Sequence, residues 1–249
     1  MRYNDRPIKS VSQMLRALKE QTEPKQLTWF RGQARKTWKL VPSLARKPGN
    51  LKAESALIKR FMQDAVPHIT TPPREEWEWL FLMQHHRAAT RLLDWSESPL
   101  AALYFAVADK KHKSADGAVW CLDPVALNRG PANLQFEFQP EIPAFGRDKV
   151  LDNYLPSRVS ESPAKMVTVA IMGPRTTARM AAQLGTFTVN HRLHTPVEAI
   201  GDSEHVWRWI VPASAKKKIQ DELMLLKITA LTLFPELDRV AETSMDVLR

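Results

Sequence analysis

Cysteine is nearly absent from this chain. Cys121 is the only one in 249 residues, which excludes disulfides within the chain and zinc sites built on cysteine clusters. Glycine is scarce, with eight in all. No Gly-x-Gly-x-x-Gly turn, Walker A loop or Gly-x-Ser-x-Gly elbow occurs, so Rossmann dinucleotide binding and the usual serine-hydrolase arrangement are not expected. No apolar run approaches the ~20 residues of a membrane helix. The opening MRYNDRPIKS has no apolar core of a secretory leader. A cytoplasmic protein that does not engage membranes is the expectation. His85 and His86 are adjacent, and adjacent positions on a helix point about 100° apart. His112, His191, His194 and His205 form no His-Glu-x-x-His pattern, so no metal site is expected.

What is present is ordinary in amount and uneven in placement. Apolar residues make up 44% and charged residues 25%, values of a globular chain able to bury a core. The net charge of +9 lies entirely in residues 1–60, where fifteen Lys/Arg face four Asp/Glu. Such a field favours nucleic acid, a phosphorylated ligand or an acidic protein, and it equally describes a solvated basic face.

The pattern of elements predicts an α+β class, with helices mostly early and a mixed or antiparallel sheet built largely from later strands, in one domain over 1–249. Ser10 opens a helix over about 11–20, 51–66 is amphipathic up to Pro67, and acidic residues start a helix that ends at His85-His86. Trp29 and Phe30 read as a strand that ends in a turn at Gly32, and 38–44 reads as extended. Strands are expected at 118–122, 167–171, 185–190, 206–211 and 228–234, with helices at 176–184 and 216–226. Residues 123–165, with Asp123-Pro124, Gly130-Pro131, Gln139-Pro140, Ile142-Pro143 and Ser162-Pro163, read as loops and short strands.

The chain is organised around TRLLDWSESPLAALYFAVA, 90–108. Ser98 and Pro99 form an N-cap and first helical position ahead of a buried helix. Before them, Arg91 to Ser98 reads as a polar turn. Its residues admit two readings, a structural Arg91–Asp94 pair with Asp94 mostly buried, or a binding site. Arg31, at a strand end beside Gly32, suits recognition of phosphate or carboxylate.

Taken together, WFRGQ (29–33), LVPSLAR (40–46), Gln84-His85-His86, TRLLDWSESPLAALYFA (90–106), Gln183-x-Gly185-x-Phe187 and LFPELD (233–238) resemble the FRG-domain family over about 10–240. Arg87 and Ala89 depart from that family's usual glycine and proline. A more distant similarity is to ADP-ribosyltransferases of the arginine–serine–glutamate type, through Phe30-Arg31-Gly32 and through Ser96-Glu97-Ser98 ahead of Ala102-x-x-Phe105. That resemblance implies NAD as co-substrate, with Arg31 on a phosphate and Ser96 on the nicotinamide ribose. It implies a pocket shaped by Gly32, Gln33, Arg91, Trp95, Ser98 and Gln183. It also implies a late catalytic glutamate, Glu236 as first choice over Glu198 and Glu204. The protein would then be a transferase or NAD glycohydrolase of a bacterial toxin or phage-defence system. Its acceptor would be a nucleic acid or protein, and a cognate antitoxin or regulatory protein would restrain it. The alternative is a non-catalytic module that docks nucleic acid or an acidic protein through the basic first quarter.

Overall fold

Apolar residues run without a break along 118–122 and 169–171, as strands covered on both faces require. In the computed structural model, which describes residues 1–47, 49–131, 142–159, 161–162, 166–192 and 195–248, the strands are β1 (Arg6–Pro7), β2 (Trp29–Gln33), β3 (Leu92–Ser96), β4 (Gly117–Leu122), β5 (Val169–Ile171), β6 (Gly185–Val189) and β7 (Val206–Val211). The helices are α1 (Val11–Gln21), α2 (Glu54–Ala65), α3 (Glu76–His85), α4 (Pro99–Val107), α5 (Pro124–Arg129), α6 (Pro156–Val159), α7 (Ala178–Ala182), α8 (Lys216–Leu225), α9 (Ala230–Leu233) and α10 (Leu237–Ser244). Gln139-Pro140, Pro163 and His194 lie outside the described residues.

Among the described residues the strands form one seven-stranded sheet in the order β1-β7-β4-β2-β3-β6-β5. Only β1 and β7 run parallel, so the sheet is mixed and the class is α+β. Central β4 is buried along its whole length. Val119 and Cys121 face α1, α4 and α8, while Ala118, Trp120 and Leu122 face the opposite cluster with Trp29 and Trp95. A third cluster joins α2 and α3 to β5 and β6 through Ile58, Leu80, Phe81 and Phe187. Burial raises the proton affinity of the Cys121 thiol.

Four local expectations are corrected. Leu92–Ser96 is a strand and not a turn, because Leu93 and Trp95 enter one cluster and Leu92 another, which the period of two requires. Strand β2 runs through Gly32 to Gln33 without turning. Residues 230–233 form a helix and not a strand, because the Thr229 side chain accepts a hydrogen bond from Thr232 N and caps it. Residues 38–44 form no strand, and Ser43–Arg46 is a 3₁₀ turn. In the proline-rich segment, Asp123-Pro124 proves to be an N-cap and first helical residue, with the Asp123 carboxylate accepting from Ala126 N.

Two buried histidines set an expectation for acid stability. His205 Nε2 lies 2.9 Å from Val197 O, which requires the neutral ring to carry its proton there. Burial lowers the pKa of His205, and it lowers that of His191 with help from Arg192 and Arg91. A group with a depressed folded-state pKa binds fewer protons folded than unfolded, so stability falls as pH drops below about 6.5. The urea midpoint should fall between pH 7.5 and 5.5, and the fall should shrink in His205→Asn. An unchanged pH slope in the variant would remove His205 from this account.

Candidate functional site

Strands β2 and β3 share a single register pair, Phe30↔Ser96, and then part. The ladder would next have joined Gly32 to Asp94. Instead the Arg31 side chain reaches across, and its Nη1 donates to Asp94 O at 2.5 Å. A cavity of about 200 Å³ fills the gap, walled by α3, α4, α7 and β6. Phe81, Trp95, Phe105 and Phe187 give it flat apolar walls, and Arg31, Gln84, His85, Asp94, Arg179 and Gln183 give it polar groups.

The arginine is poised for a ligand. Arg31 Nε is buried and has no hydrogen-bond partner among the described residues. Burial eases loss of its proton, and the nearby Asp94 opposes that; an arginine stays charged under such pressure. Asp94 is exposed, and its Oδ1 accepts from Gln84 Nε2 at 2.9 Å. Gln84 in turn accepts from Thr90 Oγ1. Burial lowers the pKa of His85, as do His86 and Arg179, so its ring is neutral near pH 7.

Beyond Arg31, Gly32 and Phe105 the cavity opens into a groove of about 1200 Å³. Lys39, Arg46, Arg87, Lys111 and Arg239 stand along it, opposed by Asp109. These cations come from four separate parts of the chain. The basic first quarter therefore supplies only a portion of the positive field. Phe234 lies in this groove, with Arg179 over its ring at 4.8 Å and the Phe105 ring edge-on at 5.8 Å.

The structure brings together some of the residues expected from sequence and leaves others elsewhere. Arg31, Gly32, Trp95, Ser96 and Gln183 line the cavity. Ser96 is buried there with its hydroxyl engaged. It donates to Gln183 O at 2.6 Å and accepts from Ser98 N at 2.9 Å, which shapes the turn into α4. Gln183 Nε2 donates to Leu233 O and ties α7 to α9. Ser98 caps α4, accepting from Ala101 N. Gln33 is buried and accepts from Trp120 Nε1. Gly32 also serves packing, since a Cβ there would meet Ala102 O at 1.8 Å.

Arg91 is only 1% exposed and pairs with Glu54, not Asp94. Its Nε donates to Glu54 Oε1 at 2.8 Å and its Nη1 to the carbonyls of Asn190 and His191. The expected Arg91–Asp94 pair and buried Asp94 are thus both corrected: Asp94 alternates outward between buried Leu93 and Trp95. No histidine bonds Asp94 among the described residues.

The three late glutamates separate cleanly. Glu198 accepts from Leu40 N, and burial raises its pKa. Glu204 is exposed beside a different depression. Glu236, at the N-terminus of α10, is near enough to favour the charged forms of both His85 and Arg179. It is not among the residues that line the cavity or the groove. Arg179, Gln84 and Phe105 were not singled out as site residues from sequence, although the Gln84-His85-His86 motif and the Ala102-x-x-Phe105 pattern contained two of them.

Among the described residues no group of three or more His, Cys, Asp or Glu side chains is placed to hold a metal ion. No helix among them is long and apolar enough to cross a membrane. Neither curated proteins nor solved structures yield a match to this chain. A family match exists for residues 26–115, a narrower span than the motifs suggested, running from just before β2 to the end of the α4–β4 connection. That segment supplies Arg31, His85, Asp94 and Ser96, and the family model it matches is that of the FRG domain.

Proposed function

We propose that this cavity and groove bind NAD and that the protein breaks the bond between nicotinamide and ribose, passing the ribosyl carbon to water or to an acceptor. The observation that carries the reading is the junction at Arg31, where a small aromatic-walled cavity meets a wide cationic groove. The cavity is below the ~300–1,000 Å³ of a drug-sized ligand site. It suits one flat ring, leaving pyrophosphate and adenosine to the groove. Arg31, with a buried donor unmatched, would take a phosphate oxygen.

In this reading the carbon–nitrogen bond breaks with its electron pair going to the pyridinium nitrogen, so nicotinamide leaves neutral. Positive charge grows on the ribose, and Glu236, which acts electrostatically on His85 and Arg179 of the cavity, is the carboxylate we assign to stabilise it. The attacking oxygen then bonds to that carbon and releases its proton. Ser96 acts indirectly, because its hydroxyl holds the Gln183 and Ser98 backbone rather than facing a ligand.

The test is nicotinamide release from NAD by purified protein. Arg31→Ala should raise KM by about 10–100-fold, the loss of one charge-assisted bond, with a smaller effect on kcat. Glu236→Ala should lower kcat by about 10²-fold or more with little change in KM, because its charge partner develops only in the transition state. The groove's cations, with exposed Trp38 beside them, also favour a second reading as a docking module for nucleic acid. Absence of release, with steeply salt-dependent binding of a single-stranded oligonucleotide, would replace the first reading by the second.

A further inference from the structure

We propose that Asp94 is a specificity-determining carboxylate that meets the cationic nicotinamide ring, so that the cavity selects the oxidised dinucleotide over the reduced one; this rests on the NAD reading above. Arg31 and Asp94 both line the gap in the sheet, near enough to act on each other electrostatically, yet their side chains form no ion pair. Arg31 donates to the backbone carbonyl of Asp94. No cation lies within ion-pair distance of the Asp94 carboxylate among the described residues. Flanking Leu93 and Trp95 are 2% and 3% exposed, which anchors the backbone on both sides. Gln84, itself held by buried Thr90, donates to Oδ1 and sets the direction of the carboxylate.

An exposed acid beside an arginine would ordinarily pair with it. Here the strand geometry holds a positive and a negative group apart within one small cavity, together with Arg179 and the neutral His85. Such an arrangement is complementary to a zwitterion. The oxidised nicotinamide nucleotide is one, with a pyridinium ring and an anionic phosphate on either side of a ribose. Arg31 takes the phosphate and Asp94 the ring. The reduced nucleotide has nearly the same size and the same phosphate but no ring charge, so it isolates the contribution of Asp94. The role is in binding: the ring loses its charge as the bond breaks, so Asp94 favours the bound substrate and does not drive the step.

The experiment is calorimetric titration of the full chain with NAD and with its reduced form, for wild type, Asp94→Asn and Asp94→Ala. Asparagine keeps an Oδ1 acceptor for Gln84 while removing the charge. Wild type should prefer the oxidised form by about tenfold, equal to ~1.4 kcal/mol. Both variants should bring the two affinities within about twofold of each other, and one folded variant is enough to decide. A variant that retains the tenfold preference, or a wild type that binds both forms equally, overturns the role of Asp94 and leaves the NAD reading standing. A wild type that binds neither form overturns the NAD reading and this inference with it.

Discussion

Gly32→Ala should prevent the chain from accumulating as folded protein, or lower its melting temperature more than any other single alanine substitution in the sheet. The reason is the approach of α4 to β2. A Cβ on Gly32 would lie 1.8 Å from Ala102 O, 2.8 Å from Ala102 C and 2.7 Å from Ala106 N, all backbone atoms. No rotamer change relieves an overlap with backbone. The neighbouring strand has the same need, since a Cβ on Gly117 would lie 2.7 Å from Ala106 O. The helix is thus seated on two glycines from adjacent strands. Overpacking a core typically costs ~1–3 kcal/mol where side chains can yield. Here α4 itself has to move, so a loss above that range is expected, or more than ~6 °C at 2–4 °C per kcal/mol. Gly185→Ala is the control: its Cβ would meet Met180 O at an ordinary 3.5 Å. If Gly32→Ala melts with wild type, the close seating of α4 is wrong.

Arg91→Ala should be nearly as damaging for an electrostatic reason. Removing the guanidinium strands the Glu54 carboxylate, which is 5% exposed, and frees two buried carbonyls. Breaking a buried pair by deleting one partner costs ~3–5 kcal/mol, whereas replacing both partners by apolar residues is often neutral. Arg91→Ala and Glu54→Ala should each fall in that range. The double variant Arg91→Met/Glu54→Leu should recover much of the loss, a coupling that a thermodynamic cycle reads directly. Asp94→Ala, by contrast, removes an exposed group and should cost under ~1 kcal/mol. Additive single and double effects would show that the pair does not act as a unit.

These two sites mark the boundary of what was legible in the sequence. Local signals were readable: Ser10 and Ser98 cap their helices, a short apolar run marks β4, and alternation marks β6. Long-range pairing was not. Nothing near Arg91 points to Glu54, which is 37 positions away, so proximity suggested Asp94 instead. Gly32 looked like a turn because glycine's commonest use is a turn, whereas its use here depends on a helix seventy residues later. Asp123-Pro124 carries one signal for two structures, a turn and a helix start. At the cavity, Arg31, Trp95 and Ser96 were nominated by motif. Arg179 and Phe105 reach the same space from elements whose placement only the sheet order determines. Chain order admitted Glu198, Glu204 and Glu236 alike, and none of the three sits in a sequence context that marks a catalytic acid.

The lone thiol gives these expectations a common clock. Cys121 is the fifth of the six residues of β4, in register with Phe30 of β2 on one side and Trp207 of β7 on the other, and is fully buried. A thiol reagent can reach it only after the helices α1, α4 and α8 have parted from the sheet or the sheet itself has come apart. Fraying of α10 or opening of the groove leaves it shielded. When reclosing outpaces the reagent, the labelling rate is the intrinsic thiol rate multiplied by the equilibrium constant for opening. The chain thus carries a single-site chemical gauge of its global opening, one that needs no introduced probe. It should run faster in Gly32→Ala and Arg91→Ala and stay near the wild-type rate in Asp94→Ala.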